Sequence, residues 1–238
     1  MKQLVKTADP TSLPTVNYDR VIYNSETDNV IIKVVNDNGH PYVDLGLPSG
    51  LKWAKYNVGA TSETDYGSYF QWGEIEPHST GISYDWANYN YCNDSYNTLT
   101  KYNTNSSYGE NLDGMSTLRS EDDAARAKMG GDWRMPTKDE IQELITYTDN
   151  EWVTNYNGTG IKGRKFTSKK NGNSIFIPAS GRYMDSAFND RGIYGYVWSS
   201  SLFTEVPKDA WGLYFYSGQV NANIYYGRNY GLPVRGVL

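Results

Sequence analysis

Cysteine is nearly missing from this 238-residue chain: Cys92 stands alone, which excludes an internal disulfide and any multi-cysteine metal site. Histidine is almost as scarce. His40 and His78 lie far apart in sequence, so a histidine-based zinc centre is not expected. There is no basic excess either. Lys and Arg number 22 against 27 Asp and Glu, for a net charge of −5, whereas a nucleic-acid binder needs a clustered basic face; no nucleic-acid partner is expected. No apolar run approaches the roughly 18–20 residues of a membrane span, so membrane insertion is not expected. The opening segment, Met1 to Pro10, has no apolar stretch of the secretory type, and this form is read as carrying no signal peptide; a mature form that has lost one is the alternative. Aliphatic side chains are also in short supply. Aromatic residues are 15% of the chain within a hydrophobic total of 38%, so the core must be built largely from rings.

What the chain has in surplus is tyrosine, 22 of them. A buried tyrosine hydroxyl needs a partner, so a core alone cannot absorb that number, and many must lie at the surface. There tyrosine supplies rigid amphipathic contact area, as in antibody paratopes. The length allows one large domain, or one domain with an extension, at roughly 100–200 residues per domain.

Residues 1–40 read as the extension, an N-terminal attachment or oligomerisation arm. It holds two strand-like runs, Arg20–Tyr23 and Asn29–Val35, with a turn around Asp28. Two isolated strands are marginal in water, so the arm is expected to pack on the main domain or on sister chains, with a trimer favoured. An ordinary edge hairpin is the plain alternative. Residues 41–238 read as one ligand-binding domain. Asn36-Asp37-Asn38-Gly39 signals a turn before it, and Tyr42–Leu45 and Leu51–Tyr56 read as strands, the second alternating as a half-buried strand should. From about Tyr84 to Gly114 the chain is rich in Tyr, Asn and Ser and has little periodicity, the mark of a functional or mobile loop. Sequons at Asn93, Asn105 and Asn157 are accidents of that composition if no signal peptide is present.

Two short helices follow. Ser120 is expected to cap a run from Glu121 to Met129 that ends at Gly130-Gly131. Thr137 with Glu140 forms a capping-box pattern before the apolar stripe Ile141, Leu144 and Ile145. Asn171-Gly172 is a hairpin turn between Arg164–Thr167 and Ser174–Ile177. The rest is a succession of short strands: Ile193–Ser199, Ala210–Tyr216, Val220–Tyr225 and Pro233–Leu238. The fold class is therefore α+β, with an irregular antiparallel sheet, two short helices, long loops and an N-terminal β arm.

Several segments resemble a known family. Tyr42-Val43-Asp44-Leu45-Gly46-Leu47-Pro48-Ser49-Gly50-Leu51-Lys52-Trp53-Ala54, Asn57-Val58-Gly59-Ala60, Tyr69-Phe70-Gln71-Trp72-Gly73-Glu74 and Gly131-Asp132-Trp133-Arg134-Met135-Pro136-Thr137 are similar to the Fibrobacter major-paralogous-domain family. Asp122-Asp123-Ala124-Ala125, Asn171–Ala179, Val197-Trp198-Ser199-Ser200-Ser201 and Val234-Arg235-Gly236-Val237 complete a collinear series over about 42–238. That family resembles the formylglycine-generating branch of the C-type lectin fold, which implies a C-type lectin-like domain here. Trp53, Trp72, Trp133 and Trp198 are then expected in the core. Arg134 and Arg235 are expected to pair with buried carboxylates or carbonyls, and Gly59, Gly73 and Gly131 to sit at turns or close approaches.

Formylglycine-generating relatives use cysteines near their C-terminus, and this chain has none in its C-terminal half. No histidine lies in a nucleophile-elbow or triad motif. Glu74/Glu76 and Asp122/Asp123 are carboxylate pairs of the kind that does acid–base work, though solvation and helix starting account for them as well. The chain is read as a non-enzyme without catalytic residues or cofactor. A structural calcium, which C-type lectin relatives sometimes hold, has no recognised loop spacing to support it.

The C-terminal quarter also resembles the variable region of retroelement-diversified proteins, in which outward positions on a fixed scaffold change and bind ligand. That resemblance implies a ligand-binding face made of Asp185, Phe188, Asn189, Asp190, Tyr194, Tyr196, Trp211, Tyr214, Tyr216, Asn221, Asn223, Tyr225, Tyr226 and Asn229. Tyr196 and Trp211 are the two of these that could equally be core. Ordinary sheet alternation with a polar outward face is the competing account of the same pattern. The expected role is a phage receptor-binding or fibre-type adhesin, virion-borne, that recognises a bacterial surface protein or glycan. A bacterial cell-surface adhesin is the alternative.

Overall fold

Rings fill the centre of the molecule, as the scarcity of aliphatic side chains requires. The computed structural model describes the backbone of residues 18–24, 29–34 and 36–238, and side chains from Asn38 onward. Trp53, Trp72, Trp133 and Trp198 are all fully buried, as expected. The Trp72 indole donates to the Ser199 carbonyl at 2.8 Å, and Trp198 donates to the Phe70 carbonyl at 2.8 Å. Two distant segments are thus fastened reciprocally with their polar atoms satisfied. Truncating a ring of this size in a close-packed core costs about 3–5 kcal/mol.

β1 (Tyr18–Asn24) and β2 (Asn29–Val34) pair antiparallel, matching the two strands expected in the arm. Asp28, expected at the turn between them, lies outside the described residues, as does the start of the chain. β3 (Asn36–Asp37), β4 (His40–Asp44) and β5 (Lys52–Ala54) form the next sheet. Asn38 and Gly39 turn between β3 and β4 with φ of +50° and +80°, the left-handed pair that an Asn-Gly hairpin turn needs. β5 is shorter than expected, and its Trp53 and Ala54 are both buried. The alternation of a half-buried strand is absent because the chain's end covers it. Ala54 N–H donates to Gly236 at 2.9 Å, Val58 to Val234 at 2.8 Å, and Lys52 and Leu238 exchange bonds at 3.0 Å.

β6 (Tyr69–Phe70) pairs with the late segment Leu232–Pro233. The long Tyr/Asn/Ser stretch that follows contains only two 3₁₀ turns, Trp86–Asn88 and Ser106–Tyr108. It is nevertheless anchored, so of the functional or mobile loop expected there the mobile reading is not what the structure shows. Tyr89, Leu99 and Tyr102 are buried, and the Asp113 carboxylate accepts from the N–H groups of Tyr102, Asn103 and Met115 at 2.6, 3.1 and 3.0 Å. Arg228, fully buried, supplies the main clamp. Its guanidinium donates to Tyr89 Oη at 2.7 Å and to the carbonyls of Tyr102, Pro207 and Lys101 at 3.1, 2.9 and 3.0 Å.

α1 (Ala124–Met129) starts three residues later than the sequence implies. Asp123, not Ser120, caps it by accepting from Arg126 N–H at 3.0 Å. Ser120–Asp122 form a separate 3₁₀ turn, because Asp122 turns inward to accept from Tyr91 Oη at 2.7 Å, from Tyr102 Oη and from Lys101 Nζ. Gly130 ends α1 at φ +70°, and Gly59, Gly73 and Gly131 all take positive φ as expected. α2 (Lys138–Tyr147) carries the expected capping box between Thr137 and Glu140. Glu140 also receives a two-pronged bond from Arg134 at 2.7 and 2.6 Å, the pairing foreseen for that arginine. Arg235 pairs with Asn57 Oδ1 and the carbonyls of Ala54, Lys55 and Phe176, at 2.8 to 3.1 Å. Burial lowers its pKa to about 9 against the opposing charge of the Glu63 carboxylate, so it is still protonated at neutral pH.

β7 (Thr148–Val153), β8 (Gly163–Ser168) and β9 (Ser174–Pro178) make an antiparallel meander with Asn171-Gly172 in its second turn. β10 (Arg182–Met184) and β11 (Ala187–Asn189) form a short hairpin. β12 (Gly195–Leu202), β13 (Asp209–Tyr216) and β14 (Gln219–Gly227) form a second meander with β13 central. The final strand, β15 (Leu232–Pro233), is much shorter than the expected 233–238 run. Ile141 and Leu144 of α2 share one core with Val197, Leu213, Phe215 and Ala222. The opposite face of the same sheet joins Trp198, Tyr196 and Ala210 to Trp72 and Tyr102. The architecture is α+β, with small antiparallel sheets, two short helices and long loops. No helix among the described residues is long and apolar enough to cross a membrane.

Candidate functional site

β13 sets the geometry of the site. Alternation along a strand puts Leu213 and Phe215 on the α2 side and Tyr214 and Tyr216 on the other. In register, Tyr196 of β12 lies opposite Tyr214, and Tyr214 lies opposite Asn221 of β14; Ala210 lies opposite Tyr226. The rings form one continuous array. Tyr194 stacks on Tyr214 with centroids 5.6 Å apart, and meets Tyr216 edge-on at 5.7 Å. Tyr196 contacts Tyr214 at 5.6 Å and Tyr226 at 5.3 Å. Such offset and edge-on pairs each add about 0.5–1.5 kcal/mol beyond area burial, which makes the array rigid.

Arg182 of β10 borders this array. Its guanidinium lies 5.2, 5.6 and 5.4 Å from the ring centres of Tyr196, Tyr226 and Tyr230. Asp190 holds it, with Oδ2 3.5 Å from Arg182 Nε, while the same oxygen accepts from Tyr196 Oη at 3.1 Å. Asp190 takes φ +71° at the turn leading into β12, a conformation Asp tolerates better than most residues. Burial raises the hydroxyl pKa of Tyr196, Tyr214 and Tyr226. These phenols therefore stay neutral at physiological pH, able both to donate and to accept hydrogen bonds. A half-exposed wall of neutral phenols beside one guanidinium can stack on flat or C–H-lined surfaces and hydrogen-bond to either partner polarity.

The fourteen expected residues do not form one face. Asp190, Tyr194, Tyr196, Tyr214, Tyr216, Asn221 and Tyr226 come together on the array side. Tyr196 is a correction, because it is buried and serves as the floor of the array. Trp211 and Tyr225 lie on the α2 side of the sheet, where they form a separate cluster with Phe203; Phe203 stacks on Tyr225 at 4.1 Å and Lys138 Nζ stands 3.6 Å over Trp211. Phe188 packs within its hairpin against Tyr183 at 4.7 Å and under Arg191 at 4.0 Å. Asn189 is half-buried beside it, its amide donating to the Ala187 carbonyl at 3.2 Å. Asn223 is exposed beside Asn221, whose Oδ1 accepts the Asn223 N–H at 2.7 Å. Asn229 is a second correction. It is buried because the chain turns inward at Arg228. Arg182 and Tyr230 were not singled out; Tyr230 stands in the same Tyr/Asn run, and an arginine one residue before Tyr183 is the signal for the other.

Asp185 and Asn229 meet in a cavity of about 250 Å³ that Trp86, Lys208, Asp209 and Tyr230 help to line. A second cavity, about 440 Å³, lies elsewhere, between Ala54, Val58, Phe70 and Met129. Its charged residues Glu76 and Lys128 pair with each other at 2.5 Å. The carboxylate pairs considered for acid–base work are divided among structural partners. Glu74 accepts from Asn90 N–H at 2.9 Å and lies 3.3 Å from His78 Nε2, while Asp122 and Asp123 anchor the α1 region. The Cys92 thiol donates to the Trp86 carbonyl at 3.1 Å, and burial raises its pKa, the reverse of an activated thiolate.

Residues 47–235 match the family model described as the Lcl C-terminal domain. The match spans every candidate residue named above and is compatible with the family resemblance carried by the motifs. No curated protein and no solved structure matches the chain.

Proposed function

The chain belongs to the Lcl C-terminal domain family, and from that premise we propose that it is a non-catalytic adhesin-type domain binding a bacterial surface protein or glycan. The observation that carries this reading is the array of Tyr194, Tyr214, Tyr216 and Tyr226 bordered by Arg182. Tyrosine and arginine are the residue types that dominate binding hot spots. The rings are already held by one another, so little side-chain entropy remains to be lost on binding.

In the finer form of the proposal the carrier is a virion, with residues 1–40 as the attachment and oligomerisation arm and 41–238 as the receptor-binding domain. A trimer would convert weak single contacts into avidity. The C-terminal positions would be retroelement-diversified; a near-copy of the 3′ coding end, mismatched only at adenines, is the genomic observation that decides this. A bacterial cell-surface location is the alternative carrier.

The test is binding of labelled protein to a panel of bacterial cells by flow cytometry. The double variant Tyr214→Ala/Tyr216→Ala is expected to lose about thirtyfold or more in affinity, the size of one hot-spot residue of about 2 kcal/mol. Its thermal midpoint is expected to fall, because the ring pairs of Tyr214 and Tyr216 are lost, so an intact cooperative unfolding transition is the check that the variant is folded. Wild-type binding by a folded double variant rules the face out.

A further inference from the structure

We propose that the cavity of about 440 Å³ beside β4 is the socket for a stretch of this chain's own N-terminal arm, Leu13-Pro14-Thr15-Val16, which lies outside the described residues. The inference deepens the arm reading and rests on it for its purpose. It is independent of the tyrosine array, none of whose residues is among the described lining.

Connectivity brings that stretch to the cavity. Tyr18, where β1 begins, pairs with Val34 at the end of β2, and just beyond it Asn36 of β3 pairs with Pro41. Paired Cα atoms of antiparallel strands are about 4.5–5.5 Å apart, and the step from Val34 to Asn36 spans at most about 7 Å. Tyr18 therefore lies within about 18 Å of Pro41, which is itself a lining residue of the cavity. The chain from Tyr18 back to Leu13 covers up to about 17 Å, so the stretch is within reach. So short a tether gives the chain's own segment an effective concentration of about millimolar, which favours it over the same segment of a second copy.

The chemistry of the lining selects the same stretch. Ala54, Val58, Phe70 and Met129 are buried lining residues, and Pro41 and Pro77 add apolar surface. The acid and base among the described lining residues, Glu76 and Lys128, are paired with each other at 2.5 Å, so the cavity offers nothing to a charged occupant. From Pro10 to Asn17 the chain carries no charge, and Leu13, Pro14 and Val16 supply apolar side chains; Lys2, Lys6 and Asp9 come earlier. The volume lies within the roughly 300–1,000 Å³ of sites that enclose small ligands, and removing apolar surface from water drives the contact. Docking also answers the weakness of a two-stranded hairpin, which is marginal by itself. β2 leads directly into β3, and the socket would fasten the β1 end as well, fixing the direction in which the arm leaves the domain.

The experiment is disulfide trapping in the full chain carrying Cys92→Ser. Ala60→Cys, at the cavity wall, is combined in turn with Leu13→Cys, Thr15→Cys and Val16→Cys, because a bridge needs Cα atoms within about 7 Å. An equal mixture of isotope-labelled and unlabelled chains is oxidised and weighed by mass spectrometry. At least one pair is expected to close within the chain in more than about half of the molecules. Ser217→Cys, exposed in the turn between β13 and β14, is expected to close with none of the three when it replaces Ala60→Cys. No closure, or equal closure with Ser217→Cys, overturns the proposal; so do mixed-label dimers, which would assign the cavity to a second copy. Anilinonaphthalene sulfonate, which brightens on exposed apolar surface, is expected to gain about threefold or more in fluorescence on full-length Leu13→Ser/Val16→Ser with a cooperative unfolding transition. Unchanged fluorescence there overturns the proposal too. Loss of cell binding in Tyr214→Ala/Tyr216→Ala without any closure sinks the socket and leaves the tyrosine face; closure with unaffected cell binding does the reverse.

Discussion

Replacing Arg228 by Met should uncouple the long 84–114 stretch from the sheet. The change keeps most of the apolar stem and deletes every donor. Three carbonyls, those of Lys101, Tyr102 and Pro207, then lose a partner in a fully buried setting. Each stranded acceptor costs about 1–3 kcal/mol. The Tyr89 hydroxyl loses less, since it still donates to the Trp72 carbonyl at 2.7 Å. Allowing for some water entry, the total is about 3–6 kcal/mol, a large fraction of the 5–15 kcal/mol by which typical domains are stable. Arg228→Lys retains the charge but presents three donors from a single point, and should cost less, about 2–3 kcal/mol. Urea unfolding followed by tryptophan fluorescence measures both, with the slope checked for constancy. Limited proteolysis of Arg228→Met should cut first between 84 and 114. A Met variant within about 1 kcal/mol of wild type, or one first cut elsewhere, refutes the clamp.

Thr137→Ala removes the capping-box acceptor of α2 and should cost about 1 kcal/mol, read as a lower denaturation midpoint; no change would mean that the Arg134–Glu140 pair alone holds the helix start. Acid should unfold the protein partly through Asp122. Burial alone would raise its pKa, but bonds from Lys101, Tyr102 and Tyr91 hold it below the ordinary carboxylate value. That stability is present above the unfolded pKa of about 3.9 and is lost as pH falls through the folded value, so Asp122→Asn should be less stable at neutral pH and lose less on acidification. An unchanged acid limb in that variant contradicts the assignment. Alkali acts in the opposite sense. Burial raises Tyr69 and Tyr84 to about 12, so their contribution is complete below the unfolded value of about 10 and disappears between pH 10 and 12. Tyrosinate absorbance should lag the model-compound curve until unfolding begins, and full ionisation near pH 10 with the fold intact would exclude it.

The scaffold was readable where one local signal decides one local structure. The Thr137–Glu140 capping box, the Asn38-Gly39 and Asn171-Gly172 turns and the four core tryptophans are of that kind. The start of α1 was not, because Ser120 and Asp123 are both good caps, and the choice is made by Tyr91, Tyr102 and Lys101 pulling Asp122 inward from a distant segment. The 84–114 stretch has no periodicity because its order comes from Asp113 and Arg228, one residue each, and not from a repeating face. A buried arginine that satisfies carbonyls looks like any other arginine in sequence.

The partition of the C-terminal residues failed for a different reason. Between Gly212–Tyr214 of β13 and Ile224–Asn221 of β14 the register slips by one residue, and a slip of one exchanges the faces of everything beyond it. Asn221 therefore shares a face with Tyr214, whereas Tyr225 shares one with Trp211, although 221 and 225 have the same parity. Composition alone could place Tyr, Trp and Asn on this sheet, but could not say that they serve two sides of it. The consequence is physical. One flat partner cannot touch Tyr214 and Trp211 together, since the sheet stands between them. A single ligand bound on the array should therefore be indifferent to Trp211→Ala and Tyr225→Ala, while a wild-type level of binding that needs both clusters would require a second contact, from another copy of the chain or another part of the partner.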